Sequence, residues 1–271
     1  MSTIETARPA ETTEAPILLR GDDKGIATLT LNRPAQRNAL SHALMGALQR
    51  ELDAIGGDPA VKVVVLAAAG PAFSAGHDLR ELRADPSRAN YRATFRQCSD
   101  LMLSLTRLPQ PVIARVHGIA TAAGCQLVAS CDLAVAAEGA RFATPGVNIG
   151  LFCSTPMVAL SRAVSRKAAM EMLLTGDFVS AARAHELGLV NRVVPADRLD
   201  AEVTALARTI SEKSPLTLKI GKEAFYRQAD LGLSAAYDYA SEVMTTNMLA
   251  RDAEEGIDAF LQKRAPTWLG C

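Results

Sequence analysis

The chain has 271 residues, of which 49% are hydrophobic and 21% charged, a composition of a globular protein with a sizeable core rather than a low-complexity one. Lys plus Arg and Asp plus Glu both total 29, so no basic excess calls for nucleic acid or an anionic membrane, although a local basic patch for a phosphorylated ligand stays open. No apolar run approaches the roughly 20 residues of a membrane span.

Met1 to Pro16 is rich in Thr, Glu, Pro and Ala. Such a stretch suits a disordered lead-in over residues 1–15, with neither the apolar core of a signal peptide nor the Arg-rich, acid-poor character of a transit peptide. A cytoplasmic address is the resulting expectation. Ile17 to Arg20 and Ile26 to Leu31 are apolar runs split by Gly21-Asp22-Asp23-Lys24-Gly25, which reads as a β-hairpin. Ser41 opens an amphipathic stretch through Leu44, Leu48, Leu52 and Ile55 that halts at Gly56-Gly57. Val61 to Leu66 is a short apolar, β-branched run of the kind covered on both faces.

The theme repeats. A helical pattern from Asn90 to Leu108 breaks at Pro109 and Pro111, Val112 to Val116 reads as a strand, Leu127 to Ser130 as helix and Leu133 to Ala136 as strand. Beyond Thr155 the pattern is mostly helical, with Ser180 as the N-cap of one helix and Leu189 to Val194 as the last strand. Leu199 to Lys213, Leu216 to Gln228, Ser234 to Leu249 and Ala253 to Arg264 read as successive amphipathic helices. The expectation is an α/β core over residues 16–198 and a helical region over 199–271. The five cysteines, Cys98, Cys125, Cys131, Cys153 and Cys271, are odd in number and show neither CxxC pairing nor metal spacing with histidine. Reduced thiols are expected, with no disulfide framework and no metal site.

Two small-residue turns carry the chemistry. The first is Ala69-Gly70-Pro71-Ala72-Phe73-Ser74-Ala75-Gly76-His77-Asp78-Leu79, after a strand and before a polar helical turn. The second, Val116-His117-Gly118-Ile119-Ala120-Thr121-Ala122-Ala123-Gly124-Cys125-Gln126-Leu127, runs from strand into helix. Small side chains let a ligand approach the main chain, and amides at a helix start are unpaired at the positive end of its dipole. A developing oxyanion would be stabilised there. Each turn alone is equally readable as tight packing without a ligand.

Together the turns resemble the two motifs of the crotonase, or enoyl-CoA hydratase/isomerase, superfamily. The likeness runs from about Ile17 to the C-terminus. Leu31-Asn32-Arg33-Pro34 with Asn38-Ala39-Leu40 is similar to its opening motif, Ser130-Cys131-Asp132 to the close of the second turn's helix, Leu174-Thr175-Gly176 with Ala181, Ala184 and Gly188-Leu189-Val190 to its mid-chain helix pair, and Phe260-Leu261-Gln262-Lys263-Arg264 to its tail. That resemblance implies a crotonase-like α/β fold of repeated ββα units with a C-terminal helical trimerisation region. It implies an acyl-CoA thioester as ligand and no cofactor beyond the substrate's own coenzyme A, in a homotrimer or dimer of trimers. The N–H groups of His77 and Ala123 would form the oxyanion hole. Ala75, Gly76, His77, Asp78 and Leu79 would grip the coenzyme, Gly124 would flank the second donor, and Arg33, Arg37 and Lys263 are candidates for its phosphates.

The family's hydratases use two glutamates, and the resemblance puts their positions at Gln126 and Gly146. Neither residue can act as an acid or base at neutral pH. Efficient glutamate-dependent hydration is therefore not expected, and three functions stay open. One is an enzyme that stabilises a thioester enolate with altered acid–base groups. Another is a non-catalytic acyl-CoA binder. A third is a decarboxylase- or thioesterase-like member using His77, Glu81 or pocket water, since a family decarboxylase of methylmalonyl-CoA has a similar Ala-Gly-His-Asp turn. Cys153 lacks an adjacent histidine for activation, and Ser154 is expected either to pack or to cap a helix. The stretch Ala120 to Asp132, with Thr144 to Asn148 and Gly150 to Pro156, resembles a single subgroup of the superfamily.

Overall fold

A computed structural model describes residues 15–271. The lead-in expected at the N-terminus lies, up to residue 14, outside the described residues. Strands β1 (Leu18–Asp23) and β2 (Ile26–Leu31) form the expected hairpin. Its turn is tighter than the sequence suggests: β1 runs on through the polar Gly21-Asp22-Asp23, and Lys24 and Gly25 alone make the connection, with φ of 48° and 81°. Positive φ at both central residues is the geometry of a two-residue turn matched to strand twist. Polar residues are tolerated in β1 because it is an exposed edge strand.

Helix α1 (His42–Gly56) is capped by Ser41, whose hydroxyl accepts from the Leu44 N–H. Strand β3 (Val63–Ala68) follows, then the short β4 (Ala72–Ser74), α2 (Leu79–Ala84) and α3 (Arg88–Arg107). The cycle repeats as β5 (Val112–Val116), β6 (Ile119–Thr121) and α4 (Ala123–Ser130), and again as β7 (Leu133–Ala137), β8 (Arg141–Ala143), α5 (Pro156–Ala163) and α6 (Arg166–Thr175). In each cycle a strand of one sheet leads to a strand of a second sheet and then to helix. The first sheet has the order β1-β2-β3-β5-β7-β10, with β10 at Arg192–Val194, and is parallel after the hairpin. The second has the order β4-β6-β8-β9, with β9 (Val179–Ser180) antiparallel at its edge. These are the repeated ββα units that the resemblance implies.

Burial explains the apolar run at β3, where all six residues are buried. Val64, Leu66 and Ala68 point into the main core with Leu44, Leu48 and Phe73, while Val63 and Val65 face the other way. There they meet Leu199, Val203 and Ala207 of α8 (Leu199–Ser211). A strand covered on both faces has no polar alternation to show. Ser180 caps α7 (Ala181–Leu187) as expected, accepting from the Arg183 N–H. Ser154 does not cap α5; its hydroxyl turns back to the Phe152 carbonyl, and Pro156 opens the helix, where a missing N–H costs nothing.

The remaining helices are α9 (Pro215–Gln228), α10 (Leu233–Met248) and α11 (Arg251–Gln262). A buried lysine ties α9 to the core. Lys222 Nζ donates to the carbonyls of Leu105 and Gln110 and to Asp132 Oδ2 at 2.6 Å, while the Tyr226 hydroxyl donates to Asp132 Oδ1. Burial pulls the Lys222 ammonium below the usual lysine value, and Asp132 opposes that pull. All three ammonium protons have acceptors, the condition on which a buried charge is tolerated. Among the described residues no helix is long and apolar enough to cross a membrane.

Candidate functional site

The first turn is braced from below. The Asn38 side chain, fully buried, accepts from the Arg33 N–H and donates to the carbonyls of Ala69 and Ala72. Ser74 Oγ donates to the Asn38 carbonyl and accepts from the Gly76 N–H, and the Ala75 N–H donates to the Arg37 carbonyl. An isolated parallel bridge then joins Leu40 to His77. It is made by the Leu40 N–H to the Gly76 carbonyl at 2.7 Å and the Asp78 N–H to the Leu40 carbonyl at 3.3 Å. The bridge uses the peptide groups on either side of His77, so the His77 N–H points away from it. Among the described residues that N–H has no protein acceptor.

The second turn is strained into shape. Ala122, the residue before α4, has φ 49° and ψ −118°, a left-sided conformation that costs an alanine about 1–3 kcal/mol. It is held by its N–H on the Ala143 carbonyl and by its own carbonyl on the Gln126 N–H. Ala123 therefore begins α4 with its N–H directed outward, and that N–H too has no protein acceptor among the described residues. The macrodipole adds positive potential at this end.

Two glycines hold the turns together. A Cβ on Gly124 would lie 2.3 Å from the Ser74 carbonyl oxygen, and one on Gly76 would lie 2.9 Å from Ala122 Cβ and 3.3 Å from the Ala123 nitrogen. Each turn thus packs main chain against main chain through the other's glycine. The two free donors belong to one rigid unit.

Around it stand several side chains. The His77 imidazole meets Phe95 of α3 edge-on, with ring centroids 5.5 Å apart, and both ring nitrogens are buried without a hydrogen-bond partner. Burial pulls its pKa down to about 4, offset in part by the Leu40 backbone, so the ring is neutral at physiological pH. Gln126 is 4% exposed, with Oε1 3.9 Å from Cys98 Sγ and no protein acceptor for its amide nitrogen among the described residues. Gly146 sits in a 3-10 turn (Pro145–Ile149), and a Cβ there would lie 2.3 Å from the Leu151 carbonyl oxygen and 2.9 Å from Cys153 Sγ. Burial raises the thiols of Cys98 and Cys125 to about 12, and it pushes the Cys153 thiol above the ordinary thiol value, which argues against thiolate chemistry.

Other candidates are committed elsewhere. The Glu81 carboxylate accepts from the His42 N–H at the start of α1. Arg33 donates to the Ala39 carbonyl and pairs with Asp78 at 3.2 Å, and Asp78 also caps α2. Arg37 and Lys263 are exposed at left-handed positions, and Leu79 is half exposed.

The sequence reading missed His42. Its N–H binds Glu81 of α2, Nδ1 faces Gln97 Oε1 at 2.6 Å, Nε2 faces Thr94 Oγ1 at 2.8 Å, and its carbonyl accepts from Gln97 Nε2. One residue so joins α1, α2 and α3 next to the Leu40–His77 bridge. Thr94 and Gln97 on the face of α3 that also carries Cys98 were the only available signal. His42→Ala is expected to lower stability by about 1–2 kcal/mol through the polar groups left unpaired, read as a fall in the urea midpoint, and His42→Asn to recover part of it.

The family model described as Enoyl-CoA hydratase/isomerase matches residues 21–270. The chain is 47% identical over 265 residues to the enoyl-CoA hydratase domain-containing protein 3, mitochondrial, of Rattus norvegicus, covering 97% of this chain and 88% of that protein. This is the subgroup that the sequence resembles. A crystal structure of an enoyl-CoA hydratase from Mycobacterium smegmatis superposes with a TM-score of 0.92 at 56% identity, covering 94% of this chain and 99% of that one. The crystal structure of human enoyl-CoA hydratase domain-containing protein 3 gives 0.91 at 47%, covering 93% and 100%. The expected cytoplasmic address is corrected by the relatives from rat, Xenopus laevis and Homo sapiens, whose names all carry the word mitochondrial. The reasoning failed because a weak leader composition is no positive evidence for an address.

Proposed function

The chain belongs to the enoyl-CoA hydratase/isomerase family, and on that premise we propose that it binds an acyl-CoA thioester with the carbonyl oxygen between the N–H groups of His77 and Ala123. The observation that carries this reading is that both donors lack protein acceptors on two turns locked together by Gly76 and Gly124. Negative charge arises on that oxygen when the thioester becomes an enolate. Donors already fixed in place stabilise it without reorganising, the largest single contribution in much of acyl chemistry. Gln126 then orients the ligand through its amide nitrogen and transfers no proton.

A second reading, binding without turnover, is favoured by Gly146. The space for a side chain there is taken by the Leu151 carbonyl and Cys153 Sγ. A positioned acid or base is worth about 10²–10⁴-fold in rate. Pure protein is to be titrated with crotonyl-CoA and malonyl-CoA, recording both binding and products. Binding with hydration slower than that of a glutamate-bearing relative by that factor is expected. Failure to bind any CoA ester would sink the reading. Fast hydration would sink the argument from Gln126 and Gly146.

We propose in addition that copies of the chain assemble through the C-terminal helices. Leu233 is 78% exposed, Leu249 84%, Phe260 82% and Leu261 70%, an apolar surface too large for a free helical face. A trimer or dimer of trimers is expected by light scattering. Leu249→Asp with Phe260→Asp should shift it to monomer, and a monomeric wild type would overturn the assembly.

A further inference from the structure

The ring of His42 closes a circuit of contacts around the first donor. Leu40 bridges His77, and two residues on the imidazole of His42 lodges between Gln97 and Thr94 of α3. Thr94 precedes Phe95, whose ring meets that of His77 with centroids 5.5 Å apart. The segment that aims the His77 N–H is thus tied at one end to the first turn. At the other it is tied to the helix that touches the His77 side chain.

The partners of His42 fix where its protons lie. Its carbonyl can only accept, so Gln97 turns its amide nitrogen there and shows its oxygen to Nδ1 at 2.6 Å. Nδ1 therefore carries a hydrogen in every state. Nε2 faces the Thr94 hydroxyl at 2.8 Å, and that hydroxyl is also 3.0 Å from the Asn90 carbonyl. With a neutral ring, the hydroxyl donates to Nε2. With a charged ring, Nε2–H donates to the hydroxyl, which then donates to Asn90. Either state leaves both ring nitrogens paired. His77 is the contrast, for both its ring nitrogens lack a partner. Burial first, and then the charge that His42 can carry, pull the His77 pKa down to about 4 against the Leu40 backbone.

Few charges face His42. Glu81 of α2 accepts its N–H at 2.9 Å, and Asp78, the cap of that helix, is held by Arg33. Arg50 of α1 opposes a second positive charge: its Nη1 lies 3.5 Å from where a Cβ on Gly46 would stand, and Gln97 Nε2 lies 3.6 Å from the same point. From α3 come the neutral Thr94 and Gln97, and the Cys98 thiol that burial raises to about 12. The start of α1 carries roughly half a positive charge, which the full negative charge of Glu81 outweighs.

We propose that His42 is a proton-responsive positioning residue for the first donor, so that a thioester oxygen is held more tightly when the His42 ring is charged. The proposal rests on the acyl-CoA reading above. Histidine is the side chain that ordinarily changes charge between pH 5 and 8. A charged ring grips Gln97 and Thr94 through charge-assisted bonds, which are roughly twice as strong as neutral ones. It also adds positive potential beside the His77 N–H, in a partly buried setting that screens it less than water does. If the charged form binds the ester better, binding takes up a proton and affinity rises as pH falls. The His77 ring stays neutral across that range.

Butyryl-CoA labelled with carbon-13 at its carbonyl, and free CoA, are to be titrated into the intact protein at about pH 8 and about pH 5.5. Free CoA carries the same phosphates and lacks the carbonyl, so the ratio of the two affinities reports on the oxygen. In wild type that ratio is expected to grow about threefold at the lower pH, with the bound carbonyl resonance moving further downfield. His42→Asn stays uncharged and can still donate to Gln97. It should keep the wild-type ratio at about pH 8 within about twofold and show no growth at the lower pH. His42→Gln stands in if the asparagine variant does not keep the wild-type circular dichroism. A wild-type ratio that ignores pH would overturn the proposal. Growth that survives the substitution would assign the proton to another group and overturn it too. If wild type binds butyryl-CoA no better than free CoA and its carbonyl resonance does not move at either pH, the acyl-CoA reading itself falls.

Discussion

Gly124→Ala is expected to weaken acyl-CoA binding by about 5–10-fold, the scale of losing one hydrogen bond to the thioester oxygen. The added methyl would stand 2.3 Å from the Ser74 carbonyl oxygen and 2.8 Å from Ser74 Cβ, neither of which is the end of a flexible side chain. Ser74 cannot yield, because its hydroxyl is fixed to the Asn38 carbonyl and its neighbour Ala75 to Arg37. The two turns must therefore separate, and the distance between the His77 and Ala123 donors grows. Oxyanion donors act within about 2.7–3.1 Å of the oxygen, so a shift of a few tenths of an ångström at each is enough to lose the pair. Overpacking should also cost about 1–3 kcal/mol of stability. Calorimetry with crotonyl-CoA and thermal unfolding measure the two effects. Gly21→Ala is the control, for nothing lies within 4 Å of a Cβ there. Unchanged affinity in Gly124→Ala would mean that the interlock does not set the donors.

Gly146→Glu is expected to damage the fold without creating a hydratase. The Leu151 N–H donates to the Gly146 carbonyl at 2.9 Å, so residues 146 and 151 close a compact loop. Even the first carbon of a glutamate would lie 2.3 Å from the Leu151 oxygen. The loop must open, at about 2 kcal/mol or more. Gln126→Glu alone keeps its volume and should fold, though a carboxylate buried beside Cys98 has little to pair with. The double variant Gln126→Glu with Gly146→Glu should show a lower urea midpoint and no rise in crotonyl-CoA hydration. Hydration gained at wild-type stability would show that the two residues alone account for the lost chemistry.

Much of this was legible in the sequence because the two proposed donors belong to the main chain of turns rich in small residues. The Asn32-Arg33-Pro34 and Asn38-Ala39-Leu40 segments stand out as motifs, and the structure gives their reason: Asn38 and Leu40 brace the first turn. Strands β4, β6 and β8 were not legible. Each is three residues long, too short for a period to show, and β4 and β6 lie inside turns that read as small-residue loops. The engagement of Glu81 and Arg33 was hidden for a different reason. Their partners, the His42 N–H and Asp78, lie 39 and 45 positions away, and pairings at such distance follow from the fold alone. The same holds for Lys222 and Asp132, separated by 90 positions.

The bridge between Leu40 and His77 has a consequence for how such a site can change over generations. Successive peptide planes in an extended segment face opposite ways, so fastening the planes around residue 77 dictates where its own N–H looks, whatever side chain it bears. The aim of that N–H is thus insulated from substitution at the very position that carries it. The side chain there is free to vary, and the imidazole of His77 is one such side chain, carried at no cost to the aim of the donor beneath it.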